Sequence, residues 1–419
     1  MRSYERNDNQ DANMFKQLFS RREIFLFFIM SLLFFICING YDAFLASYMV
    51  QHDIPPEIIG LIMGATGLAT VLLRFPLSVV SGTLHNRKIF IQLSLILPMV
   101  MWPIAYFHTN DITLYIAKTS SGLASATWVL YNIMFIRYFS KNEAPAAVAL
   151  LALASPVGVF LGNSLCGIIV QNFPPNLGFW IPSAAALAAL FISLFLQEHV
   201  ETPVKSTLND CFKSAWGQLT DRTIWFVGIL CAIVLLVPFA TRDTLTPIYM
   251  LKLGNKGMLI AVLSNLHLLF YALAVALCSA FFYPRLGLVK TAVIGSLLQA
   301  IAALGIPLTQ NYLVISAFQA LAGFSFGMAF AVMMSLSVVN TTSEEQTARM
   351  GLFQTIYATG MFWGPVLMGI MLKYFTMQAG YMLIAGLSCF AALLTAMAAK
   401  LVQHRTPRCQ PGIVVEKSV

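Results

Sequence analysis

The stretch "FFICINGYDAFLASYMV" (residues 34–50) reads as part of a membrane-crossing helix with an acid, Asp42, inside it. A second stretch, "LVPFATRDTLTPIYML" (residues 236–251), repeats the arrangement. Both run into a Tyr-Met pair, and Asp42 precedes Tyr48 by six residues as Asp243 precedes Tyr249. A charge near the centre of a bilayer costs about 2.5–3.5 kcal/mol on insertion scales. An acid at matching places in two apolar stretches therefore points to a duplicated membrane chain and to a functional position in each copy.

The rest of the chain agrees with a membrane assignment. Of its 419 residues 58% are hydrophobic and only 10% charged, with a mean hydropathy of +0.77; soluble domains carry about 25% charged residues. The net charge of +8 is scattered over short loops and is no nucleic-acid footprint. Seven cysteines show no metal-ligand spacing and mostly fall in apolar runs, where a free thiol acts as a small hydrophobe. We expect no disulfide, metal or cofactor. No nucleophile elbow or phosphate loop marks an enzyme.

Twelve apolar runs are long enough to cross a bilayer, which takes about 20 residues of helix. They cover roughly 24–49, 57–81, 88–107, 112–138, 145–171, 178–197, 224–250, 257–283, 289–308, 312–338, 348–373 and 380–401. The one long polar break divides them. The expected organisation is an N-terminal tail (1–23), a six-helix half (24–197), a central loop (198–223), a second six-helix half (224–401) and a C-terminal tail (402–419). The side of the N-terminus gathers Arg21, Arg22, Arg87, Lys88, Arg137, Lys141, Arg285, Lys290 and Arg349 among others, whereas the opposite side has Lys252, Lys256 and Lys373. The positive-inside rule then places both termini in the cytoplasm, and short loops and tails favour a bacterial inner membrane. "YDAFLASYM" aligns with "RDTLTPIYM" without a gap, and six is an even number, so both copies enter the membrane in the same direction.

A parallel repeat of six spans resembles the Major Facilitator Superfamily of secondary transporters. The sequence after span two, "RFPLSVVSGTLHNRK", resembles that family's signature between spans two and three through Arg74, Pro76, Gly82, Arg87 and Lys88, with Asn86 where the family has an acid. "YIAKTSSGLASA" in span four resembles its R-x-x-Q-G pattern, with Lys118 at the arginine and Gly122 at the glycine. "GMFWGPVLMG" in span eleven resembles the G-x-x-x-G-P pattern of its antiporters through Gly364 and Pro365. The resemblance implies an all-α membrane fold in which spans one, four, seven and ten line a central cavity.

At ~1.5 Å rise per residue, Asp42 lies roughly 9 Å inside span one, and Lys118, Arg242 and Asp243 reach a similar level. Asp42, Lys118 and Asp243 are the candidates for proton coupling, with an Asp42–Lys118 ion pair as the structural alternative. Arg242 and Asp243 are neighbours in sequence, so their side chains are expected to diverge. Candidate solute contacts are Asn39, Tyr41, Trp128, Tyr131, Asn132, Arg242, Gln319, Gln354 and Tyr357. Candidate structural or gating residues are Arg74, Gly82, Arg87, Lys88, Gly364 and Pro365. His267 stands alone in span eight and reads as a core histidine or a proton relay.

Many aromatic rings and few charges suit a small amphipathic organic solute better than a sugar or an inorganic anion. The expectation is a monomeric, proton-coupled transporter in the lipid bilayer, leaning to efflux. The alternatives are proton-driven import of a metabolite or metal-chelate ligand and a non-transporting membrane sensor on the same fold.

Overall fold

The computed structural model describes residues 21–80, 86–140, 143–198, 217–255, 257–337 and 343–397. Gly82, Lys256 and the tails beyond these limits lie outside the described residues.

Among the described residues every element is helical, because apolar residues dominate and a backbone in lipid must satisfy its own hydrogen bonds. The first half holds α1 (Arg22–Gln51), α2 (Pro56–Val80), α3 (Arg87–Phe107), α4 (Asp111–Ala126 with Trp128–Ile136), α5 (Ala144–Ala152 with Ala154–Asn172) and α6 (Pro175–Phe195). The second holds α7 (Arg222–Lys252), α8 (Met258–Leu286), α9 (Leu288–Leu308), α10 (Tyr312–Ser337), α11 (Ser343–Tyr374) and α12 (Met377–Met397). Among the described residues, eleven of these are long and apolar enough to cross a membrane. The fourth is interrupted at Thr127, whose hydroxyl bonds the Ala124 carbonyl and meets Ser94 Oγ. The twelve expected spans thus correspond to twelve helical stretches, of which the first, fourth and fifth are broken.

Burial sorts the helices. On α3, residues Ile89, Leu93, Ile96, Val100 and Ile104 stand exposed along one face, and α6, α9 and α12 carry similar stripes. Such stripes are tenable only against lipid. By contrast α1, α7 and α10 bury most of their length. A central group of helices is therefore wrapped by peripheral ones.

The two halves meet along two seams. On one, α2 packs on α11 through glycine: a Cβ at Gly60 would lie 2.6 Å from the Pro365 carbonyl oxygen, and one at Gly64 2.8 Å from that of Phe362. Small residues let helix backbones approach this closely in a membrane. On the other, α5 meets α8 by hydrogen bonds: Asn163 donates to Ser264 (3.1 Å) and Asn265 (3.2 Å), and Asn265 donates to Ser164 (2.9 Å). At the ends remote from the termini, Lys373 of α11 bridges Glu57 of α2 at 2.7 Å.

The expected G-x-x-x-G-P segment is part of this packing. Gly364 sits against the Leu236 carbonyl of α7, at 2.6 Å from an added Cβ, while Pro365 faces Gly60.

Candidate functional site

The opening acids sit where the backbone departs from regular helix. In α1 the helix ends at Asn39 and restarts at Asp42 after a turn at Gly40–Tyr41. In α7 the matching place is a π-helical turn, Thr241–Leu245, just after Pro238. Pro238 lacks the N–H that a regular ladder needs, and π-turns often coincide with functional positions. The two irregularities also touch: the restarted part of α1 packs on the π-turn of α7.

Each acid has a cation. Asp42 is paired with Lys118 of α4, and both side chains are almost wholly buried, at 8% and 1% exposure. The backbone of α4 is pinned for this. Thr66 of α2 donates to the Lys118 carbonyl at 3.2 Å, Thr70 shares its one hydroxyl proton between the Thr66 carbonyl at 2.7 Å and that of Gly122 at 3.3 Å, and a Cβ at Gly122 would lie 2.6 Å from the Thr66 carbonyl oxygen. Gly122 thus lets α4 lie close enough to α2 for both bonds.

Asp243 is held by Arg242 through two bonds, Nε to Oδ1 at 2.6 Å and Nη2 to Oδ2 at 2.7 Å. This corrects the expectation that these neighbours diverge. Adjacent side chains leave a regular helix in different directions, but the π-turn widens the backbone there, and the three-carbon stem of arginine lets its planar fork curl back on the carboxylate. The restarted part of α1, which begins at Asp42, packs on the π-turn that carries Arg242 and Asp243, so the two ion pairs lie side by side. Two ion pairs, one from each half, therefore form one neutral group of four charges where the halves meet.

The other expected contacts separate. Tyr41 is not turned toward that junction. It is 1% exposed within the first half, bonds the Pro175 carbonyl at 2.9 Å and stands edge-on to Phe179 and Trp102. Its edge still reaches a pocket of about 440 Å³ at the ends remote from the termini, lined also by Phe44, Tyr48, Gln51, Gln171 and Ile260. Tyr131 is fully buried against Phe27 and Phe34, and Trp128 stacks on it. Asn132 spends its amide on the Trp128 carbonyl. Asn39, Gln354 and Tyr357 are half-buried, and Gln319 is 1% exposed.

Arg74 is a tie between helices. It donates to the Ser125 carbonyl at 2.7 Å and to Ser125 Oγ at 3.2 Å in α4, and it interacts across the halves with the Tyr357 hydroxyl. Arg87 and Lys88 are fastened inside the first half. Their backbone N–H groups both donate to the Glu198 carboxylate at 3.1 Å, and Lys88 Nζ bonds the Leu196 carbonyl at 2.8 Å.

Some contacts were not foreseen. The Asn163–Ser264–Asn265 seam had a signal, since polar amides inside apolar spans glue helices together. Glu198 and the Arg349–Asp221 bridge (2.7 Å) had none beyond being charged and next to a span.

The comparisons with known proteins agree with this architecture. The family model of the Major Facilitator Superfamily matches residues 27–310 and 244–416. The chain belongs to the Major Facilitator Superfamily. Comparison with curated sequences found no match. Among solved structures, the chain is similar to nucleoside transporter NupG, with 16% identity, a TM-score of 0.69, and coverage of 90% of this chain and 99% of that one. A bacterial homolog of the human lysosomal transporter Spinster, in an inward-facing and unoccupied conformation, gives 13%, 0.70, 90% and 95%. The POT family transporter PepTSo gives 11%, 0.70, 92% and 99%. At these identities the likeness shows the fold, a multi-pass membrane fold shared by transporters.

Proposed function

We propose that this superfamily member is a secondary transporter that moves a small amphipathic organic solute by alternating access, driven by the proton gradient and in the direction of efflux. One observation carries the reading. The Asp42–Lys118 pair and the Arg242–Asp243 pair meet as one buried neutral group where the two halves join. A charge imbalance there is costly in a low dielectric. A proton taken up by the Asp42 carboxylate breaks its pair with Lys118 and leaves the group with one excess positive charge. Rearrangement of the two halves, or departure of a cationic solute, relieves that excess. Proton binding and movement of the halves thereby become one equilibrium.

The placement of Lys and Arg supports cytoplasmic termini, the two-half core supports a monomer, and the short loops support a bacterial inner membrane. The similarity to nucleoside, peptide and Spinster-type transporters supports an organic solute without choosing one.

The test uses purified protein in vesicles with a panel of amphipathic solutes and an imposed pH gradient. The wild type accumulates a solute against its gradient. Asp42→Asn loses that uphill accumulation but keeps solute exchange at equal pH. Undiminished uphill transport by Asp42→Asn sinks the coupling role.

A further inference from the structure

The ion pairs of the central group satisfy one another, whereas two polar side chains beside them satisfy nothing. His267 of α8 is 1% exposed, and neither ring nitrogen has a hydrogen-bond partner among the described residues. Gln319 of α10 is also 1% exposed, and neither its amide nitrogen nor its oxygen has one. An unpartnered buried polar group destabilises the fold that buries it, and these two residues leave four such atoms.

The packing of α8 on α10 puts both residues at one crossing. Gly323 of α10 lies against the backbone of His267, with 2.8 Å between an added Cβ and the His267 Cα. Gln319, Gly323 and Phe326 follow the i, i+4, i+7 spacing of one helix face, and Phe326 stacks on the His267 ring at 6.1 Å between centroids. The crossing is therefore flanked by an amide on one side and an imidazole over a phenyl ring on the other. The same helix, α8, also contacts the π-turn of α7 that carries Arg242 and Asp243.

The chemistry of the two groups is specific. A glutamine amide offers two donors and an acceptor in one plane, and a neutral imidazole offers one donor and one acceptor. Neither carries a fixed charge. We infer that Gln319 and His267 are the specificity-determining residues of the transport site, and that they recognise a planar, uncharged group with a donor next to an acceptor, such as a carboxamide, a lactam or an N-heterocycle. This rests on the transport reading above and adds the chemical class of the solute. Such a group meets the donor and acceptor of Gln319 side by side, and the imidazole of His267 across the crossing offers one further donor or acceptor. A site built to pair such a group rejects an analogue that lacks the donor, because its own polar atoms are then left unpaired.

The test is binding by purified protein in detergent to matched probes, uracil against 1,3-dimethyluracil and benzamide against N,N-dimethylbenzamide. N-methylation removes the donors and keeps the ring and carbonyl. We expect the unmethylated probes to raise the unfolding midpoint with concentration and to bind at least tenfold more tightly than their methylated partners. Gln319→Leu removes that discrimination, and His267→Gln, which keeps a donor and an acceptor, preserves it. A purely structural role for Gln319 predicts a lower midpoint with the discrimination intact, which overturns the proposal. So does equal binding of methylated and unmethylated probes, or no binding of the unmethylated ones. Flux of the same probes in vesicles separates the two readings. Discriminating binding without any flux overturns transport and leaves Gln319 and His267 as a binding site alone, and flux indifferent to methylation supports transport and overturns this assignment.

Discussion

Asp42 and Lys118 show why a buried pair is judged by what its removal leaves behind. Cutting one partner strands the other charge in the interior, at a cost of about 3–5 kcal/mol, whereas replacing both with apolar residues of similar size is often close to neutral. We expect Lys118→Met alone to lower stability by about 3 kcal/mol, and Asp42→Leu with Lys118→Met to recover most of it. Thermal unfolding of the purified variants checks this. Equal loss in the single and double variants contradicts the pair as drawn. The acid was legible in the sequence as a charge in an apolar run, and Lys118 as a cation at its level. That they touch depends on Gly122 and on Thr66 and Thr70 of α2, three small residues whose importance shows only once α2 and α4 are side by side.

Glycines decide how closely the helices approach, but not all of them do the same thing. Gly360 of α11 meets the Ala232 carbonyl inside the second half, while Gly60 of α2 meets Pro365 across the halves. Gly360→Leu is expected to impair folding. Gly60→Leu is expected instead to prevent closure of the ends remote from the termini and to raise thiol labelling of a cysteine placed at Ser47. Gly386 has nothing within 4 Å of an added Cβ. Gly386→Ala is expected to be neutral or to stabilise α12 by up to about 1 kcal/mol, since alanine is the better helix former.

Outside the spans, Asp221 caps α7 by accepting from the Thr223 N–H and is bridged by Arg349 of α11. Partial burial pushes its carboxyl up, but Arg349 and the Thr223 N–H outweigh this and hold it below its ordinary value. An acid depressed in the folded state stabilises the fold above its unfolded pKa of about 3.9, and that stability is lost as pH falls through the folded value. The difference in midpoint between wild type and Asp221→Asn should be constant above about pH 5 and shrink below about pH 4. A difference that grows on acidification contradicts the bridge.

At the scale of the whole molecule, the two halves are held by contacts of unequal strength. The Glu57–Lys373 bridge is partly exposed, and water and salt screen such pairs so that they contribute little. Glu57→Lys should therefore increase opening at that end by no more than about fivefold, and Glu57→Lys with Lys373→Glu should restore it. Accessibility of the cysteine at Ser47 reports both.

The membrane class, the all-helical fold and the placing of an acid in each of two apolar stretches were all written in the sequence. Membrane insertion reads hydropathy and charge segment by segment, so those features need no knowledge of neighbours. Side-chain partnership is different, because it depends on which helix lies alongside. Only the tertiary structure set Tyr41 into the first half's core, folded Arg242 back onto Asp243 through the π-turn, fastened Arg87 and Lys88 to Glu198 and brought His267 to the crossing of α8 and α10. Each of these rests on a contact between residues in different turns or different helices, and hydrophobic periodicity along one helix does not specify the rotation and crossing of two.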